Sequence, residues 1–190
     1  MNKNIVLCGV GGQGTVLASK LLAAAAMQHG IPVMSAETIG MAQRGGSVFS
    51  NIRLGEGVHS PMIEKGTADL ILGFEPGEAV RMLPFLKPGG TVVTNSCAVV
   101  PASASLSGFD YRGETMVGYL RKTVQKLVVV DGVTACSALG SPRVLNMVLL
   151  GAAVRTGELG LSLEDLLAVL PSQVSPQFVD LNQKALTSDL

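Results

Sequence analysis

Residues 5–15, Ile-Val-Leu-Cys-Gly-Val-Gly-Gly-Gln-Gly-Thr, join a short apolar run to a glycine-rich turn. The run at 5–8 has the length and composition of a buried β-strand. The turn has the form G-x-G-x-x-G and leads into residues 15–29, which are rich in Ala and Leu and stop at Gly30, as a buried helix does. A strand, a glycine turn and a helix in this order predict an α/β fold with a Rossmann-like glycine loop.

Short apolar strands and helices alternate along the rest of the chain. Loops are expected at 37–46 and 96–108, a turn at 87–90 and an antiparallel hairpin at 48–58. The alternation predicts a three-layer α/β/α arrangement with a mixed, mainly parallel sheet, and residues 1–190 as a single domain. Predicted strands beyond the first lie at 33–35, 48–54, 68–73, 91–94 and 127–130, and predicted helices at 76–83, 114–126 and 141–155, with two more opening at Ser162 and Ser175.

The composition narrows the classes of partner. Lys plus Arg (14) equals Asp plus Glu (14), so no basic surface favours nucleic acid or anionic lipid. No apolar stretch reaches the roughly 20 residues of a membrane span, and the N-terminus lacks a signal-peptide pattern. We therefore predict a cytoplasmic protein. Only 15% of residues are charged and 47% are apolar, which fits either an obligate partner or simply a well-covered core.

The cysteines are dispersed at positions 8, 97 and 136. Iron–sulfur and zinc sites need clustered ligands, so we predict that this chain holds no metal. We expect all three to be buried or half-buried thiols with a packing role.

The glycine loop is the first candidate binding element. Glycines permit a close approach of the backbone, and the amides at the following helix N-terminus favour an anion. Glu37 lies at the sequence distance of a ribose-binding acid, and Gln13 is expected in an open position. The alternative is a turn that only lets helix and sheet pack closely. The residues concerned are Gly9, Gly11, Gly12, Gln13, Gly14 and Thr15.

A second candidate loop carries Gln43, Arg44 and Gly45. Arginine suits the bidentate recognition of a carboxylate or phosphate, and Gly45 with Gly46 lets the backbone come close to another molecule. A solvated arginine in a loop is the competing interpretation. Other candidates carry less weight: Glu75 and Glu78 are expected to cap a helix, and we predict no catalytic role for His29, His59, Ser47 or Ser50.

Taken in order, GVGGQG, GMAQRGGSVFSNIRLG, HSPMIEKGTADLILGFEPGEAVRMLPFLKPGG and NMVLLGA resemble one family. The chain resembles the gamma (domain III) module of pyruvate/2-ketoisovalerate ferredoxin oxidoreductases. The form M-A-Q-R-G-G looks closest to the beta subunit of indolepyruvate ferredoxin oxidoreductase. The resemblance runs from about residue 5 to 182; the glycine loop alone is unspecific, whereas the combination is specific.

The resemblance implies a cluster-free subunit of a complex that oxidatively decarboxylates a 2-oxoacid, such as indolepyruvate, to an acyl-CoA. Thiamine diphosphate, Mg and iron–sulfur clusters are then expected in a larger partner subunit, through which ferredoxin is reduced. The candidate residues of both loops would meet that partner or coenzyme A, and a homodimer is also compatible. The alternatives are a stand-alone NAD- or FAD-binding oxidoreductase and a CoA- or nucleotide-binding module.

Overall fold

The structure, a computed structural model, describes residues 2–37, 45–100 and 110–189. Its centre is a six-stranded sheet in the order β2-β3-β1-β4-β5-β6. Strands β1, β4, β5 and β6 run parallel, whereas β3 is antiparallel to both of its neighbours, β1 and β2. The prediction of a mixed, mainly parallel sheet is therefore confirmed. The strands are β1 Lys3–Val10, β2 Val33–Glu37, β3 Ser47–Leu54, β4 Ala68–Gly73, β5 Leu86–Asn95 and β6 Lys126–Val130.

Helices cover both faces of this sheet. Side chains alternate along a strand, so Ile5 and Leu7 of β1 face one helical layer while Val6 and Cys8 face the other. Helices α1, α5, α6 and α7 pack on the first face, and α2 and α3 pack on the second. The helices are α1 Thr15–Gln28, α2 Pro76–Met82, α3 Gly113–Thr123, α4 Gly132–Ala138, α5 Leu145–Arg155, α6 Leu163–Gln173 and α7 Val179–Thr187.

Several helix boundaries follow from local chemistry in the sequence. The Ser162 hydroxyl accepts from the Asp165 amide at 3.2 Å and the Asp165 carboxylate accepts from the Ser162 amide at 2.7 Å, so a capping box begins the helix predicted to open at Ser162. Ser141-Pro142 and Ser175-Pro176 open single 3-10 turns before α5 and α7, so both helices begin three residues later than their Pro residues suggest.

The predicted hairpin over 48–58 is wrong. Strand β3 is real, but Val58 is not in a strand, and β3 pairs instead with β1 from Ser47↔Val10 to Leu54↔Lys3. Gly55 and Gly57 both have positive φ, and the Gly55 amide donates to the Pro32 carbonyl at 2.9 Å. The glycines therefore turn the chain away from β3 rather than folding it back onto the same strand.

One further expectation is wrong, and one helix was missed. Residues 87–90 lie within β5, because a register shift between Ala68 and Leu70 of β4 accommodates the Pro-Gly-Gly segment. Helix α4 was not predicted: Gly132–Ala138 is too short and too mixed in composition to show a period, and the Asp131 carboxylate begins it by accepting from the Thr134 amide at 3.1 Å.

The topology gives the sheet two distinct edges. The carboxyl edge is the one at which β1, β4, β5 and β6 end and at which β3 begins. Helix α1 runs from this edge back to the amino edge, so His29 lies at the amino edge. Among the described residues, no helix is long and apolar enough to cross a membrane.

Candidate functional site

The glycine loop lies at the carboxyl edge and is shaped by close packing. Gly12 and Gly14 have φ of 101° and 83°, which favours glycine at both positions. A Cβ at residue 14 would lie 2.6 Å from Asn146 Nδ2, and a Cβ at residue 9 would lie 2.8 Å from Phe74 Cβ. Neither space admits a side chain, so close packing accounts for glycine at both positions.

Gln13 does not occupy the open position expected for it. Its Oε1 accepts from the Val10 amide at 2.7 Å, and its Nε2 donates to the Phe74 carbonyl at 3.1 Å. The side chain therefore turns inward and joins the ends of β1 and β4. Between these strands the chain changes direction across the sheet, and open α/β folds bind ligands at such a point. Here a side chain of the protein fills that position.

Backbone hydrogen bonds join the glycine loop to the second candidate loop. The Gly11 amide donates to the Gly46 carbonyl at 2.8 Å, and the Gly45 amide donates to the Gly11 carbonyl at 3.4 Å. These bonds extend the β1–β3 ladder beyond its last pair, so the two glycine segments form one continuous surface. Gln43 and Arg44 lie outside the described residues, which resume at Gly45.

Two cavities open on either side of the glycine loop. The larger, about 560 Å³, lies over the start of α1 and is lined by Gly11, Gly12, Gly14 and Thr15, with Lys20 and Glu37 among its other residues. Because β3 separates β2 from β1, Glu37 lies two strand spacings from β1, or about 10 Å. A dinucleotide-binding fold places the ribose-binding acid on the strand adjacent to the glycine loop, whereas Glu37 lies one strand further away and still lines this cavity.

The second cavity, about 340 Å³, has no charged residue among the described residues that line it. Its floor includes Asn95, a buried residue that sequence reasoning missed. The Asn95 Oδ1 accepts from the amides of Cys97 at 3.2 Å and Gly132 at 3.1 Å, which ties the loop after β5 to the start of α4. The sequence signal that could have identified Asn95 is its place as a polar residue at the end of an apolar run, T-V-V-T-N. Exposed Val99 and Val133 stand at the rim.

The cysteines agree only partly with expectation. Cys8 and Cys136 are buried, and burial raises the pKa of both thiols. Cys97 is exposed, so the expectation that all three are buried or half-buried is wrong for this residue. It lies in the loop after β5 rather than in a strand. Among the described residues, no three His, Cys, Asp or Glu side chains come together where they could hold a metal ion.

The remaining candidates have structural partners. His29 and Asp165 form an ion pair at 2.7 Å on the amino-edge side, remote from the glycine loop. Glu75 caps α2 as predicted, since its Oε2 accepts from the Glu78 amide at 2.8 Å. Ser47 and Ser50 lie in β3 opposite Val10 and Leu7 of β1, as pairing residues. His59 is an exposed residue of the loop after β3.

Comparison with known proteins identifies the family of the chain. Residues 4–188 match the model of the pyruvate ferredoxin/flavodoxin oxidoreductase family. The chain belongs to this family. Indolepyruvate oxidoreductase subunit IorB of Archaeoglobus fulgidus is 36% identical over 98% of this chain and 92% of its own. The corresponding subunit of Thermococcus kodakarensis is 37% identical over 96% of this chain and 91% of its own.

A solved structure agrees with this assignment to the pyruvate ferredoxin/flavodoxin oxidoreductase family. The gamma subunit of a keto/oxoacid ferredoxin oxidoreductase from Geobacter sulfurreducens superimposes with a TM-score of 0.69 at 25% identity. The match covers 97% of this chain and 94% of that one. Together with the inward-facing Gln13, family membership disfavours a stand-alone NAD- or FAD-binding oxidoreductase.

Proposed function

We propose that the chain is the cluster-free subunit of an indolepyruvate-type 2-oxoacid ferredoxin oxidoreductase. Relatives at 36–37% identity over nearly the whole chain are named as subunits of indolepyruvate oxidoreductase, and this observation carries the proposal. In such a complex, thiamine diphosphate, Mg and iron–sulfur clusters belong to the larger subunit, which passes electrons to ferredoxin. Residues 1–190 then act as a single gamma-type domain in the cytoplasm, where unpaired cysteines are the rule.

The carboxyl edge is the surface that we assign to contact with the larger subunit. Three observations support this assignment: the glycine segments join there, the uncharged cavity opens there, and Val99 and Val133 are exposed there at 38% and 58%. Interface cores are depleted in charge and enriched in apolar contacts. Sequestering this cavity against a partner would remove its apolar rim from water.

Arg44 belongs to the same proposal, because the described residues that flank it in sequence, Glu37 and Gly45, both lie at the carboxyl edge. We propose that the Arg44 guanidinium binds a carboxylate of the larger subunit or a phosphate of coenzyme A. Gln43 and Gly45 would approach the same partner, and the α1 amides beyond Gly14 offer a position for an anion. The binding set is therefore Gly9, Gly11, Gly12, Gln13, Gly14, Thr15, Gln43, Arg44 and Gly45, with Gly9 and Gln13 acting through the loop's shape.

Reconstitution tests the proposal. The chain, produced with the larger subunit of its own complex, should co-purify and restore indolepyruvate-dependent reduction of a viologen dye. Truncating one member of a desolvated charge pair costs about 2–5 kcal/mol, against about 0–1 kcal/mol for an exposed charge. Arg44→Ala should therefore weaken assembly, or raise the CoA requirement, by well over tenfold, and Arg44→Lys should restore only part of it.

Two results would contradict this function. One is a chain that remains a homodimer and never associates with the larger subunit, as judged by light scattering. The other is an Arg44→Ala chain that unfolds while the complex still formed has normal activity, because Arg44 would then be an internal structural residue. Micromolar binding of NAD by calorimetry would favour the stand-alone alternative.

A further inference from the structure

Two buried carboxylates lie at the start of α2. Glu75 is 2% exposed and Glu78 is 6% exposed, and they are separated by less than one helical turn. Burying an ionised carboxylate is costly unless donors compensate it. An N-cap needs only one oxygen, and Ser141 and Ser162 provide it elsewhere in this chain with a hydroxyl. Glu75 and Glu78 together are here called the carboxylate anchor. Their oxygens that do not cap the helix show which other segments the anchor holds.

The second oxygen of Glu75 binds Tyr111. The Tyr111 hydroxyl donates to Glu75 Oε1 at 2.5 Å, while Oε2 caps α2. Tyr111 stands just before α3, where the segment that follows β5 returns to the described structure. Its hydroxyl fits tightly over Gly77, since a Cβ at residue 77 would lie 2.1 Å from the Tyr111 oxygen. Glu75 thus holds Tyr111, directly before α3.

Glu78 holds a second segment in the same manner. Its Oε2 accepts from the Ser47 hydroxyl at 2.6 Å. Ser47 directly follows Gly45 and Gly46, whose backbone bonds to Gly11 of the glycine loop. The other oxygen of Glu78 faces the largely exposed Arg81 at 3.6 Å. Two carboxylates at the start of α2 therefore bind Tyr111 and Ser47, and the segment that leads into Ser47 is bonded to the glycine loop.

We propose that Glu75 and Glu78 are positioning residues that hold these segments in the arrangement required for docking of the larger subunit. This inference rests on the function proposed above. Holding a loop end in its bound position before association removes part of the conformational entropy that binding would otherwise cost. The anchor thus acts on affinity through Ser47 and Tyr111, without touching substrate or cofactor.

The electrostatics agree with a positioning role rather than a gain in fold stability. Burial raises the pKa of Glu75, against the opposing effect of its hydrogen bonds, and Glu78 adds to the increase. Among the residues that the structure describes, the titratable groups that face Glu75 are Glu78 on α2, Tyr111 before α3 and Cys8 on β1, and none of these is a cation. A carboxyl with a raised pKa favours the fold most below its ordinary pKa, and this contribution is lost as pH rises through the raised value.

The test removes each hydrogen bond that the anchor accepts from a side-chain hydroxyl, while both carboxylates stay in place. Tyr111→Phe and Ser47→Ala each remove one hydroxyl, and Ser47→Thr restores it. Tyr119→Phe, at an exposed tyrosine of α3, and Arg81→Ala, at the other partner of Glu78, are matched controls. The measurement is the chain concentration that gives half-maximal dye reduction with the larger subunit, together with the activity at saturation and the folded fraction from urea titration.

The two anchor variants should each raise the half-maximal concentration roughly five- to tenfold, with unchanged activity at saturation and a chain that stays folded. Ser47→Thr and both controls should remain within about twofold of wild type. Wild-type affinity for folded Tyr111→Phe and Ser47→Ala, or equal losses in the controls, would overturn the anchor and leave the proposed function intact. Failure of the wild-type chain to assemble would instead refute the proposed function itself.

Discussion

Substituting Gly14 tests whether the glycine loop is built for packing. In Gly14→Ala the new Cβ would sit 2.6 Å from Nδ2 and 3.0 Å from Cγ of Asn146, on a backbone with φ of 83°. Adopting the left-handed conformation costs a non-glycine residue about 1–2 kcal/mol. Forcing a methyl group into a filled space costs about 1–3 kcal/mol more. We expect a total loss of about 2–5 kcal/mol in the free energy of unfolding.

Urea unfolding of the purified chain at neutral pH measures this loss, and two other glycines serve as controls. Gly12 has φ of 101°, but no atom lies within 4 Å of the position that a new methyl group would take, so Gly12→Ala should show the backbone cost alone, about 1–2 kcal/mol. Gly118 lies within α3 and also has open space, so Gly118→Ala should raise stability by about 0.5–1 kcal/mol.

Removing the Asn146 side chain separates steric conflict from backbone strain. Asn146→Ala deletes the two nearest atoms, so its combination with Gly14→Ala should cost clearly less than the sum of the single changes. If Gly14→Ala costs no more than Gly12→Ala, or if the double substitution is additive, Asn146 does not confine the loop. The packing interpretation would then be refuted.

Three further predictions follow from the described residues. Ser162→Ala should lower the free energy of unfolding by about 1 kcal/mol, because it removes half of the capping box at α6, and thermal unfolding beside Ser172→Ala measures the difference. The chain without its larger subunit should not oxidise indolepyruvate in the presence of thiamine diphosphate and a viologen dye; turnover by the pure chain would contradict the proposed division of labour. In the native chain Cys97 should react with a thiol reagent well before Cys8, which is fully buried, and mass spectrometry of the labelled peptides should identify it.

Local sequence patterns predicted where the strands lie better than they predicted which strands pair in the sheet. Apolar runs located β1, β4 and β6 to within two residues, because burial of a strand is a local property. The place of β3 between β2 and β1 depends on pairing partners as far apart in sequence as Lys3 and Leu54. The position of Glu37, two strands from β1, could not be predicted for that reason.

The candidate site shows the same limit. The glycine turn was recognisable from its spacing, but its cause was not: Asn146, which confines Gly14, is 132 residues away in sequence. Gln13 looked exposed because glycines surround it, whereas its amide bonds to Phe74, 61 residues further along. Glu75 was correctly predicted as a cap, yet its second contact, with Tyr111, could not be predicted from local spacing.

A Rossmann-like turn need not imply a nucleotide, and this chain shows why in physical terms. The Phe74 carbonyl, at the end of β4, accepts from Gln13 Nε2 at 3.1 Å and from Asn95 Nδ2 at 3.4 Å. Two side-chain amides of the protein therefore meet at the end of β4, between β1 and β5. Both residues also line the cavity of about 340 Å³ at this edge, so a molecule there would meet side-chain amides that already bind the Phe74 carbonyl. The glycine turn serves contacts within the protein as well as the surface above it, and the fold alone does not assign it a nucleotide.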